Sequence, residues 1–313
     1  MQRWRDRTLA IVLGLAVTGM LVTPSMTEGV PRSKKKQAGR RQPARRQPAP
    51  VDVGVPSPDG TINIRAKAAL VVNLQSGEVL YQKNPTAQLP IASLTKLMTV
   101  ITFLNMNPDL NKTVTIIRED VRGARWTQLR TGETVTVRDL LYAALVSSDN
   151  AAARAIARTS GLPRGEFITR MNQMASGLGL MNSAFADPTG LDPGNVSTVV
   201  DCAALLWNAS KNDIIAKIMP TPEYRFSTNR RQHQLITTNR LLRSPEASMW
   251  EILGGKTGYI RQSGYCLVTL ARNRLGEGVV AVVLGGVSSA SRFADMRRLL
   301  FWGLQTPEQK VGG

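Results

Sequence analysis

Short apolar, β-branched runs stand near both ends of this 313-residue chain and helical periodicity fills the middle, so its sheet must be assembled from segments far apart in sequence. Near the start, Ala68-Ala69-Leu70-Val71-Val72 and Val79-Leu80-Tyr81 flank the turn signal Gln75-Ser76-Gly77-Glu78 and read as a β-hairpin. Toward the end, residues 252–257, 265–271 and 279–284 read as three further strands. Between them, Leu94, Leu97, Met98, Ile101 and Leu104 recur at helical spacing from Ser93 onward. Helices are predicted over 137–146, 150–159, 164–176 and 199–210, with breaks at Gly161-Leu162-Pro163 and Asp187-Pro188-Thr189-Gly190. A last helix over 291–304 carries Phe293, Met296, Leu299, Leu300 and Trp302. The class is α/β in the α+β sense: one sheet from distant strands, with a helical insert.

The apolar fraction of 42% suffices for a packed core. The net charge of +18 is unevenly placed: residues 1–50 hold 11 Lys/Arg against Asp6 and Glu28, which leaves +9 there. Residues 1–26 read as a signal peptide or N-terminal anchor. Arg3, Arg5 and Arg7 precede an uncharged run from Leu9 to Val22, shorter than the ~20 residues of a bilayer span. Residues 27–60, with Lys34-Lys35-Lys36, Arg40-Arg41 and Arg45-Arg46 among prolines and glutamines, read as a basic linker too poor in apolar surface to order itself. Behind an export signal, that charge suits anionic lipid or an acidic wall polymer rather than nucleic acid, or simply a solvated spacer. The globular body is expected over 61–306, with a tail at 307–313. Cys202 and Cys266, each in an apolar context, read as two buried free thiols, although an oxidising compartment would permit pairing.

Three short motifs lie in order along the body: Ser93-Leu94-Thr95-Lys96, Ser148-Asp149-Asn150 and Lys256-Thr257-Gly258. Ser93 falls where a helix begins, which sets backbone N–H groups beside its hydroxyl. Lys96, three residues on, shares that helix face, and an amine near a second cation and partly desolvated can act as a base. Ser148 and Asn150 lie between two packed helices, suited to passing a proton and holding an amide. Lys256 and Thr257 end an apolar strand and can hold a carboxylate, while Gly258 lets a substrate backbone approach the strand. Each motif alone could be ordinary structure: an N-cap, a surface lysine, a strand ending in a turn. Ser33-Lys34-Lys35-Lys36 and Ser227-Thr228-Asn229 also match two of the patterns, but without apolar support. His233, the sole histidine, sits in a polar stretch and reads as a surface residue. No His/Cys cluster suggests a metal, and no cofactor is implied.

At these motifs the chain resembles the low-molecular-mass penicillin-binding proteins, serine D-alanyl-D-alanine peptidases of the S11 type. The likeness spans roughly 61–305 and includes Asp187-Pro188-Thr189-Gly190-Leu191, Gly255-Lys256-Thr257-Gly258-Tyr259 and Ser263-Gly264-Tyr265. It implies a five-stranded antiparallel sheet flanked by helices, plus a helical lobe, the β-lactamase/DD-peptidase-like arrangement. It also implies that Ser93 attacks a D-Ala carbonyl, Lys96 takes the proton, and Ser148 relays it to the leaving amine. Asn150 would orient the peptide, and Lys256, Thr257 and Gly258 would border the terminal carboxylate, assisted by Arg292. The backbone N–H groups of Ser93 and Tyr259 would form an oxyanion hole. The implied partners are peptidoglycan peptides ending in D-Ala and, as covalent inhibitors, β-lactam antibiotics. D-Ala–D-Ala carboxypeptidase activity is the leading expectation. Arg125-Trp126-Thr127-Gln128-Leu129-Arg130 and Gly264-Tyr265-Cys266-Leu267-Val268 look closer to the endopeptidases that cut D-Ala–diaminopimelate cross-links, so that alternative stays open. A class A β-lactamase would need a deacylating Glu-x-x-Leu-Asn, which Glu166-Phe167-Ile168-Thr169-Arg170 does not supply. An inactive wall-binding protein on the same fold is opposed by the intact motifs.

Overall fold

The computed structural model describes residues 62–244 and 249–305; the expected signal or anchor segment, the basic linker and the C-terminal tail lie outside the described residues. In chain order the elements are β1 (Ala68–Asn73), β2 (Val79–Lys83), β3 (Leu89–Pro90), α1 (Thr95–Leu104), β4 (Thr113–Thr115), α2 (Arg118–Val121) and β5 (Thr134–Thr136). Then come α3 (Val137–Leu145), α4 (Asn150–Thr159), α5 (Arg164–Gly177), β6 (Val196–Ser197), α6 (Val199–Ser210) and α7 (Asp213–Ile218). The chain closes with β7 (Glu223–Ser227), β8 (Gln232–Ile236), β9 (Glu251–Ile260), β10 (Gly264–Arg272), β11 (Gly278–Gly286) and α8 (Ser289–Leu304).

The principal sheet runs β2-β1-β11-β10-β9, all antiparallel, so the first hairpin closes against the last strand across more than 200 residues of chain. Register fixes which side chains meet: Val71 lies opposite Ala281, and Ala281 opposite Thr269. Every residue of β11 is buried because the sheet is covered on both faces, which explains why Gly278–Gly286 reads as a continuous apolar run instead of an alternating one. On one face Ala69, Val71, Leu267, Ala281 and Val283 share a core with Phe293, Met296, Leu299 and Leu300 of α8. Burying each of those four α8 side chains stabilises the fold by roughly 1.5–3 kcal/mol. Helix α6 packs on β1, β10 and β11, and α1, α3, α4 and α5 pack together into the helical lobe.

Local chemistry sets the helix starts. Thr136 caps α3 by accepting from Asp139 N, and the Asp139 carboxylate returns a bond to Thr136 N. Ser288 caps α8 in the same reciprocal way through Ser291. Cys202 and Cys266 are free and buried, and burial pushes the Cys202 thiol up to about 12.

His233 corrects the sequence reading: it is buried, not a surface residue. Residues 223–236 form the hairpin β7–β8, and the alternation Gln-His-Gln-Leu turns His233 and Leu235 inward. The imidazole stacks on Phe226 at 4.7 Å and its Nε2 lies 3.2 Å from Glu133 Oε1. Arg231 and the backbone N–H of Arg130 also bond the Glu133 carboxylate, so the pair is a buried tie between the hairpin and residues 130–133.

Candidate active site

The chain enters α1 through a short 3-10 turn, Ala92–Leu94, and this turn presents Ser93 half-buried at the head of the helix. Ala92 has a φ of +48°, a left-handed conformation uncommon for a residue with a Cβ. Gly190 leans directly on the turn: a Cβ there would meet Ala92 O at 1.9 Å, and its own φ is +82°. Gly258 of β9 does the same from the other side, where a Cβ would stand 2.8 Å from Ile91 O and 3.1 Å from the Ala92 side chain. The sequence reading reserved Gly258 for a substrate backbone; the close approach that the structure shows there is made by the serine's own turn. Gly190→Ala should destabilise the fold by about 2 kcal/mol or more, since neither the backbone contact nor the positive φ has room to relax. A thermal melt checks this, and a melt unchanged from wild type would show that the turn is not clamped.

Lys96 is fully buried, and its Nζ touches three oxygens: Ser93 Oγ at 2.8 Å, Asn150 Oδ1 at 2.7 Å and Thr189 O at 2.7 Å. Two of these, the carboxamide oxygen and the backbone carbonyl, can only accept. A neutral amine spends its two hydrogens on them and turns its lone pair toward the Ser93 hydroxyl. Desolvation supplies the neutral form: burial, opposed by Asp187 and Asp149 and aided by Arg154, lowers the Lys96 pKa to about 7.

That shift also affects stability. The unfolded lysine titrates near 10.5 and the folded one near 7, so between those values the unfolded chain binds more protons. Stability contributed at this position is therefore lost as pH falls through the window and regained as it rises. Between pH 7 and 9, wild type should gain about 2 kcal/mol relative to Lys96→Met in urea unfolding. Parallel curves for the two proteins would contradict the shift.

Ser148 adopts φ +62°, again a left-handed residue, at a cost of order 1–3 kcal/mol. Its Oγ accepts from Lys256 Nζ at 2.7 Å, and Lys256 also donates to Thr257 O at 3.0 Å. Among the described residues no carboxylate pairs with Lys256. Burial first, then the positive charges of Lys96 and Arg292, push its pKa well below the ordinary lysine value. Asp149, between the two motif residues, is structural: Oδ1 caps α4 through Ala152 N, and Oδ2 accepts from Gln128 N at 2.7 Å and Thr127 Oγ1 at 2.9 Å. Asn150 is committed within the protein at both ends, its Oδ1 to Lys96 and its Nδ2 donating to Ala124 O at 2.7 Å.

The three motifs meet at one cleft of about 480 Å³, at the junction of β9 with the helical lobe. Ser93, Ser148, Asn150, Thr257, Gly258 and Tyr259 line it, as does Arg292. Lys96 and Lys256 stand behind this lining, reaching it through Ser93 and Ser148. Arg292 is buried and donates to Gly258 O at 3.0 Å and Cys266 O at 3.1 Å; burial lowers its pKa to about 10. Tyr259 is 52% exposed and stacks on Tyr265 at 4.2 Å. Glu166 is exposed on α5 and does not line the cleft.

Several contributors were not among the candidate site residues, although two of their stretches, 187–191 and 125–130, carry the family likeness. Thr238 lines the cleft and accepts from Thr257 Oγ1 at 2.6 Å. Thr189 supplies the carbonyl that fixes Lys96, and Asp187 braces that loop through Gly190 N and Asn195 Nδ2. Arg125, with φ +55°, is the middle of a three-residue turn closed by Trp126 N donating to Ala124 O at 2.5 Å. A left-handed arginine costs about 1–2 kcal/mol over an ordinary conformation. Among the described residues no group of three or more His, Cys, Asp or Glu could hold a metal ion, and no helix is long and apolar enough to cross a membrane.

The chain is similar in sequence and fold to known proteins. The chain is 34% identical over 241 residues to a D-alanyl-D-alanine endopeptidase of Pseudomonas aeruginosa, covering 75% of this chain and 76% of that one. It is 31% identical over 245 residues to the D-alanyl-D-alanine carboxypeptidase DacF of Bacillus subtilis, covering 75% of this chain and 61% of the relative. The crystal structure of the Streptomyces K15 DD-transpeptidase superposes with a TM-score of 0.72 at 30% identity, over 77% of this chain and 97% of the other. A family model described as D-alanyl-D-alanine carboxypeptidase matches residues 53–288, and with three-quarters of its length inside that match the chain belongs to the S11 peptidases, which are serine hydrolases.

Proposed function

We propose that this protein hydrolyses D-alanyl peptide bonds of peptidoglycan stem peptides through an acyl-enzyme on Ser93, with D-Ala–D-Ala carboxypeptidase activity as its main reaction. The observation that carries the proposal is the Lys96 amine, buried, near neutral pKa, and bound to two obligate acceptors with Ser93 Oγ as its third neighbour. Ser93 Oγ attacks the D-Ala carbonyl carbon as its proton passes to Lys96 Nζ. Backbone N–H groups of Ser93 and Tyr259 stabilise the oxyanion, each worth about 3–4 kcal/mol in a comparable hole. Ser148, held by Lys256, then hands a proton to the departing amine and the C–N bond breaks. Water hydrolyses the ester by the reverse relay.

Asn150 works as a positioning residue, since both ends of its carboxamide serve Lys96 and the Ala124 turn. The leaving residue's carboxylate meets Lys256, Thr257 and Thr238, with Arg292 adding charge from behind Gly258. A penicillin, carrying a strained amide and a carboxylate at the same spacing, acylates Ser93 and leaves slowly. Export by residues 1–26, and contact of the linker with anionic lipid or wall polymer, belong to the same proposal; N-terminal sequencing of the mature protein checks the first.

Endopeptidase cleavage of D-Ala–diaminopimelate cross-links is the second reading, favoured by the 34% identity to the Pseudomonas aeruginosa endopeptidase. Mass spectrometry of products from a pentapeptide and from a cross-linked dimer separates the two. Loss of one D-Ala from the pentapeptide is the expected result. Conversion of the dimer to monomers with the pentapeptide untouched would overturn the carboxypeptidase reading in favour of the second.

A further inference from the structure

The mouth of the cleft is cationic beyond what one substrate carboxylate needs. Arg125 and Arg261 both line it and are both exposed. Among the described residues neither guanidinium has a hydrogen-bond or ion-pair partner, and none of the residues lining the cleft is Asp or Glu. Arg125 occupies the strained centre of the 124–126 turn, and that turn is fastened to the catalytic loop by three bonds. Asn150 Nδ2 donates to Ala124 O at 2.7 Å, Asn150 N donates to Trp126 O at 3.1 Å, and Trp126 Nε1 donates to Ser147 O at 3.3 Å. The same carboxamide that fixes Lys96 thus fixes the turn that carries Arg125, so the backbone of Arg125 is tied to the catalytic loop at the edge of the cleft.

Resting on the acyl-transfer reading above, we infer that Arg125 and Arg261 form a second anion-recognition element, which binds a carboxylate on the side chain of the residue preceding the D-alanyl group. The carboxylate beside the scissile bond has its own partners in Lys256 and Thr257. A further anion entering the cleft meets two unneutralised arginines, and arginine suits a carboxylate by its planar fork of N–H donors. The preferred substrate is therefore a stem peptide whose side chain carries a carboxylate. A side chain ending in a bare ammonium meets like charge with no acid to receive it.

Three matched peptides test this: acetyl-L-α-aminopimelyl-D-Ala-D-Ala, its ω-carboxamide, and acetyl-L-lysyl-D-Ala-D-Ala, with D-Ala release followed on the full-length protein. In wild type, kcat/KM should fall in the order carboxylate, carboxamide, ammonium, with about fivefold between the first two, the scale of an exposed ion pair. Raising the salt should compress that ratio, because exposed charges are screened. In Arg125→Asn/Arg261→Gln the carboxylate-to-carboxamide ratio should approach one; asparagine tolerates the left-handed turn. Arg125→Lys should keep part of it. A wild-type ratio near one, or a lysyl peptide as good as the carboxylate, would overturn the inference even if the double variant failed to fold. Hydrolysis of all three peptides at one rate, with Ser93 still acylated by penicillin, would remove the second anion site and leave the DD-peptidase reading standing. Absence of both hydrolysis and acylation would remove both.

Discussion

Ser93→Ala should leave a folded protein that forms no covalent adduct with labelled penicillin. The substitution deletes one oxygen at a half-buried position whose neighbours remain in place, so the thermal melt should move little. Hydrolysis of a D-Ala–D-Ala peptide should fall by about 10⁶-fold, the scale seen when a serine nucleophile is removed. Binding groups alone would supply what remains. Labelling that persists in Ser93→Ala, with the protein still folded, would put the nucleophile elsewhere.

The second large effect belongs to Lys96. Lys96→Ala should slow acylation by about 10²–10⁴-fold, the range for a positioned general base. The variant should still fold but melt lower, since Asn150 Oδ1 and Thr189 O lose their donor, at about 1–3 kcal/mol for each buried group left unpaired. In wild type the acylation rate should follow the neutral fraction of the amine. It should fall about tenfold for each pH unit below 7 and level off above, because only the unprotonated amine can accept the serine proton. A flat profile between pH 5 and 8, or a fully active Lys96→Ala, would remove the base from the mechanism.

The site was legible in sequence where its chemistry is local. Ser93 and Lys96 lie one helical turn apart, and Lys256, Thr257 and Gly258 are contiguous on one strand, so their spacing already sets their geometry. The last three strands were legible because burial on both sheet faces makes each a largely apolar run, and the final helix because Phe293, Met296, Leu299 and Leu300 recur at helical spacing. What stayed hidden is what the fold brings from a distance. The Thr189 carbonyl and the Ala124 carbonyl are backbone groups with no residue-specific mark, and Thr238 reaches Thr257 from a loop 19 residues away in sequence. Asp149 stood inside a recognised motif, yet its role as helix cap and brace of residues 127–128 depends on a loop that the motif does not contain.

The shorter strands were lost because Thr113–Thr115 and Thr134–Thr136 are too brief for an alternating pattern to emerge from a polar background. His233 was misplaced by the same route. Its neighbours Gln232 and Gln234 are polar, and only pairing with β7 reveals that the alternate positions face inward.

The central claim is that Ser93, activated by Lys96, carries the acyl group. Peptide mapping of the wild-type protein after penicillin treatment tests it most directly. One adduct per chain, on the fragment containing Ser93, is the expected result. An adduct on a fragment holding Ser148 or any other nucleophile, with Ser93 unmodified, would contradict it.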